Sequence, residues 1–79
     1  MTDRYEHFNT EFRNLCAKLT AAQAGIAAAW RAMEANPTDE TIAAYEEALD
    51  RAKAIRQAIG ANTDAEMRQR SIDAGLIAA

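Results

Sequence analysis

Asp3, His7 and Glu11 stand at i, i+4 and i+8, so on a helix they line one face near the start of the chain. Imidazole and carboxylate can both ligate a divalent cation. These three spread over two turns, however. The chain has a single histidine, no Glu-x-x-His and no Cys-x-x-Cys, so the spacings that build zinc or di-iron sites are missing. The face reads as solvated, with Asp3 and His7 as an ordinary pair. No metal and no other cofactor is expected.

Cys16 is the one potential nucleophile of its kind. A thiol needs a base within hydrogen-bond reach to attack anything. The only histidine lies nine residues earlier on the same helix, which at 1.5 Å per residue is roughly 13–14 Å away. Cys16 therefore reads as a small hydrophobe beside Phe12 and Leu19. A helical enzyme that grips carboxylates would turn arginine and lysine inward, but Arg13, Lys18 and Arg31 all fall outside the apolar stripe. With no convergent polar cluster, no catalytic residue is assigned and the chain is not expected to be an enzyme.

What remains are side chains suited to contact. Tyr5, Phe8 and Phe12 gather near the start. Trp30 stands in the stretch AAQAGIAAAWRAMEA, where eight of fifteen residues are alanine. Alanine lets a second backbone approach closely, because interaxial distance follows side-chain size at the contact. These alanines ring the helix, so one neighbouring helix cannot cover them all. Tryptophan and tyrosine are favoured anchors of protein interfaces. Tyr5, Phe8, Phe12 and Trp30 are thus the candidate partner-binding residues, although Trp30 also suits plain padding of an intramolecular core. Residues 51–79 carry five bases and three acids, against four bases and nine acids before them. Much of that basic excess complements helix dipoles and aids solubility. Arg68 and Arg70 could also form a charged rim around the anchors.

The elements that must carry these residues are helices. Valine is absent, glycine occurs three times and proline once, which argues against strands. From Tyr5 the residues Phe8, Phe12, Leu15, Leu19, Ala22, Ile26, Ala29 and Met33 follow a 3-4 spacing, a heptad seam that faces one partner helix. This predicts a first helix over about 3–35. Asn36-Pro37-Thr38 breaks it, because proline disfavours helix at the residue before it. Either Asn36 or Thr38 could cap the second helix, expected over about 39–59 with the seam Ile42, Tyr45, Leu49, Ala52, Ile55 and Ile59. Gly60 reads as its stop. Thr63-Asp64-Ala65-Glu66 has the form of a capping box, which predicts a short third helix over about 64–74. A tail, 75–79, follows, and Leu76 and Ile77 are expected to pack back onto the bundle.

The fold class is accordingly all-α: an antiparallel helical hairpin plus a short third helix, one domain over 1–79. Twenty of the apolar residues are alanine, so few large side chains are left to build a core. Chains of this size often need a second subunit. A homodimer forming a four- or six-helix bundle is expected, with a larger protein partner beyond it. The rival readings are a purely structural self-assembling subunit and weak nucleic-acid binding through the basic C-terminal third. A net charge of −3 disfavours the latter. No 18-residue apolar run suggests a membrane span, and the polar start lacks a signal-like apolar segment. A lone cysteine fits a reducing compartment. The expected location is cytoplasmic.

Overall fold

A computed structural model describes residues 4–78. Two long helices account for nearly all of it: α1, Glu6–Ala35, and α2, Asp39–Asp73. They pack against each other as an antiparallel hairpin. No strand occurs among the described residues. The radius of gyration is 17.9 Å, whereas a compact chain of this length would have one of about 12 Å. The molecule is a rod pair, 57 Å in its longest dimension and 11 Å in its thinnest.

The turn is set by local chemistry. The backbone N–H of Asn36 closes α1 on the carbonyl of Ala32 at 3.0 Å. Asn36 then takes an extended φ of −152°, as a residue before proline must. Of the two candidate caps, Thr38 is the one used. Its Oγ1 accepts from the Thr41 backbone N–H at 3.1 Å, and its own backbone N–H donates to Thr41 Oγ1 at 2.9 Å. This is a capping box with threonine in the place usually held by Glu or Gln. Thr41 Oγ1 also donates to the Asn36 carbonyl at 2.8 Å, which ties the end of α1 to the start of α2.

α2 does not stop at Gly60. It runs through Gly60, Asn62 and Thr63 to Asp73, so the expected break at 60 and the separate third helix at about 64–74 are both replaced by one continuous helix. The capping box expected at Thr63–Glu66 is not formed as a helix start, because these residues lie inside α2. Glycine ends a helix when it takes a left-handed conformation. Among the described residues only Gly75 does, with φ +75°. There the Leu76 N–H bonds to the Ser71 carbonyl and the Gly75 N–H to the Ile72 carbonyl. This pair of bonds is the Schellman arrangement, and it ends the helix where the sequence placed Gly75.

The second correction concerns two residues of the seam, Ile42 and Leu49. The residues of α2 that face α1 are Tyr45, Ala48, Ala52, Ile55, Ile59 and Asn62, again at 3-4 spacing. The tightest part of the seam is alanine: Ala48 is 5% exposed and Ala52 is 0% exposed, facing a strip of α1 in which Leu15 and Ala22 are buried. Ile42 and Leu49, expected in the seam, are each 40% exposed. Small side chains between the rods let the backbones close up, and a seam built on Ile42 and Leu49 would hold them apart. Asn62 continues the seam in polar form, donating from Nδ2 to the Phe8 carbonyl at 3.1 Å. A polar group at a seam position fixes the register of paired helices.

A candidate protein-interaction flank

Because the hairpin is one layer thick, each helix leaves a flank on either side of the seam. On α1 the positions just beyond the seam on one side hold Cys16 and Trp30, next to the half-buried Leu19, Ile26 and Met33 and the more open Phe12. On α2 the equivalent positions hold Ile42 and Leu49, one step beyond Thr41 and Ala48. In an antiparallel pair these positions line the same side. The Trp30 and Tyr45 rings meet there, with centroids 5.4 Å apart at 57°. Phe12 is 45% exposed and Trp30 43%. With Ile42 and Leu49 they make an apolar band along one face of the rod, and patches of this sort usually mark an interface.

The opposite flank differs in character. Lys18, Ala21, Ala22, Gly25, Arg51 and Ile55 line a shallow open groove of about 440 Å³. Its floor is alanine and glycine, with two cations at the rim. A Cβ placed on Gly25 would meet nothing within 4 Å, so the groove is open space and not a close backbone contact.

The end of the rod away from the turn is a polar clasp. The Tyr5 hydroxyl donates to Asp73 Oδ2 at 2.7 Å, and Gln69 Nε2 donates to Asp73 Oδ1 at 3.0 Å. Arg4 pairs with the same carboxylate at 3.3 Å. The Arg70 guanidinium lies 4.0 Å from the centre of the Tyr5 ring, a cation–π contact, and reaches Glu66 at 3.7 Å. The Tyr5 hydrogen bond, followed by that from Gln69 and the Arg4 charge, holds the Asp73 carboxyl below the usual carboxylate range, against some desolvation. The bond to Asp73, with some desolvation and the Asp73 charge, pushes the Tyr5 hydroxyl above its ordinary value.

The six candidate partner-binding residues therefore separate. Phe12 and Trp30 lie on the apolar flank. Tyr5 and Arg70 are engaged with each other and with Asp73 and Glu66 at the clasp. Phe8 is half-buried, with its carbonyl bonded to Asn62 and its ring centroid 4.0 Å from that of His7 at a tilt of 38°. Arg68 is exposed on the outer side of α2. Because α2 is continuous, it reaches the aromatic end of α1, which a helix stopping at 59 would have left bare. Ile42 and Leu49 were missed as flank residues. The signal was in the sequence: Asn62, Glu66, Gln69 and Asp73 continue the 3-4 spacing of Ala48, Ala52, Ile55 and Ile59, which fixes the seam and turns Ile42 and Leu49 outward. Leu76 and Ile77 do not pack back, being 76% and 46% exposed.

Asp3, the first member of the Asp3–His7–Glu11 face, lies outside the described residues. Among those described, no three His, Cys, Asp or Glu side chains gather as a metal site. No described helix is long and apolar enough to cross a membrane. Comparison with protein-family profiles, with curated proteins and with solved structures finds no match to this chain.

Proposed function

We propose that the chain is a non-enzymatic protein-binding module that sequesters or blocks a larger protein partner, as anti-activators, chaperones and phage-type inhibitors do. The observation that carries this reading is the placement of Phe12, Trp30, Ile42 and Leu49, all 40–45% exposed, along one side of the rod. Large apolar side chains left half in water on a single face are suited to contact and to little else. Phe12 and Trp30 are the anchors, and Ile42 and Leu49 extend the surface between them. Tyr5 and Phe8 shape the clasp end, and Arg68 and Arg70 supply charge at its edge. Catalysis through Cys16 and His7 is disfavoured, since both ride on α1 nine residues apart. A reducing, cytoplasmic setting suits the free thiol of Cys16.

The test is co-purification from the native cell with wild type, Phe12→Asp and Trp30→Ala side by side. Truncating a central anchor costs about 2 kcal/mol or more of binding, so a partner held by the wild type is lost from Trp30→Ala while helix content by circular dichroism is unchanged. Retention of every partner by both variants removes the flank from consideration.

A second reading is favoured by the one-layer shape: a structural subunit whose partner is itself. It expects no other protein to accompany the purified chain.

A further inference from the structure

We infer that the occupant of the apolar flank is a second copy of this chain, laid antiparallel to the first so that two hairpins form a four-helix bundle. This rests on the reading of the flank as an interface and names what covers it first.

Shape supports it. Domains bury their cores between at least two layers, and this rod pair, 11 Å thick, supplies one. Its accessible surface is 5806 Å². A folded monomer of 8.6 kDa exposes about 4,700 Å² by size scaling, which leaves a surplus of about 1,100 Å². That is the scale of the ~800 Å² each partner contributes to a standard interface. A second hairpin is the simplest second layer, and its pairing completes a bundle of known geometry.

Charge selects the orientation. Beside the flank, Glu34, Asp39 and Glu46 cluster toward the turn, Lys53 and Arg56 lie near mid-rod and Arg13 lies nearer the clasp end, and all six are exposed. A two-fold axis lying in the plane of the flank, at right angles to the rods, makes the contact self-complementary. It sets the acidic end of each copy on the Arg13 end of the other and keeps the two acidic clusters apart. It also brings Trp30 of one copy roughly over Phe12 of its mate. Parallel stacking would instead oppose three carboxylates with three carboxylates. Rim charges of this kind set register and suppress wrong pairings more than they add affinity, and the apolar band supplies the affinity.

The experiment combines sedimentation equilibrium of the full chain with distances between spin labels at Glu40→Cys in a Cys16→Ser background. An antiparallel dimer places the two labels beyond about 40 Å, because some thirty residues of helix rise separate the turns, and a parallel one places them under about 30 Å. Glu34→Lys with Glu46→Lys, both fully surface changes, weakens self-association roughly tenfold. Mixing that variant with Arg13→Glu restores a heterodimer. A dimer with short label distances, or one indifferent to both charge reversals, overturns the arrangement. A monomer across the whole concentration range that still captures a protein through Trp30 overturns the dimer and leaves the binding reading standing. A monomer that captures nothing removes both.

Discussion

Tyr5 and Asp73, 68 residues apart in the chain, are joined by a 2.7 Å hydrogen bond from the tyrosine hydroxyl to the carboxylate. The bond connects the residue that caps α1 to the last residue of α2, so the open end of the hairpin is latched by side chains where no loop holds it. The cap position and the latch use different groups: the Tyr5 carbonyl accepts from the Phe8 N–H at 3.0 Å, and its hydroxyl donates to Asp73. Tyr5→Phe removes the donor while keeping the ring under Arg70. Amide hydrogen exchange is expected to quicken over residues 66–73 and to stay unchanged around Thr38. Equal exchange in both proteins would show that the latch does not restrain the end.

The latch is also a pH-bounded device. The Asp73 carboxyl is depressed in the fold chiefly by the Tyr5 bond. Its contribution is present above the ordinary Asp value of about 4 and is lost as pH falls through the lower folded value. The Tyr5 hydroxyl is raised chiefly by the same bond. Its contribution is present below the ordinary tyrosine value of about 10 and is lost as pH rises through the higher folded value. Carbon-detected NMR titration of the two groups is expected to show both shifts, each reduced by changing the other residue.

Gly60 sits in the middle of α2, is exposed, and would place an added Cβ within 4 Å of nothing. Gly60→Ala is therefore expected to raise stability by about 0.5–1 kcal/mol, the entropic cost of glycine in a helix interior. Urea unfolding measures it. A loss of stability would mean that the chain leaves the helix at this point, as the sequence reading supposed.

Ala52 is fully buried in the seam between the two rods. Ala52→Leu forces three more heavy atoms into a seam with no room and is expected to cost about 1–3 kcal/mol. Thermal unfolding checks it. Ala54→Leu, on the exposed side of α2, is the control and should change little.

The first helix was legible from its long, strict apolar spacing, and its end at Ala35, dictated by Pro37, to the residue, although the helix begins at Glu6 and not at about residue 3. The stop at Gly75 was equally plain. Gly60 misled because a glycine marks a helix end only when the backbone turns left-handed there, and composition does not reveal φ. Thr63–Glu66 misled for a related reason: the pattern of a capping box can also lie inside a helix, where Glu66 pairs with Arg70 instead. Of the α2 seam, Tyr45, Ala52, Ile55 and Ile59 were read where they stand, and Ile42 and Leu49 were misplaced because large apolar residues were preferred. Contact between closely spaced backbones favoured alanine over Ile42 and Leu49. The polar continuation at Asn62, Glu66, Gln69 and Asp73 carried the spacing of the seam without the apolar residues that usually mark one. Of the flank, Phe12 and Trp30 were visible as bulky residues without an obvious place, while their neighbours on the other rod were not.

The three-residue link at Asn36–Thr38, with its reciprocal threonine bonds, has a kinetic consequence. With that corner preformed, each successive layer of contact closes only a short loop, and the entropic toll of bringing distant residues together is spread over many small steps. Assembly is thus predicted to zip from the corner toward the far pole. Breathing should run in the reverse order, so that the pole opens and recloses many times for each event that exposes Ala52.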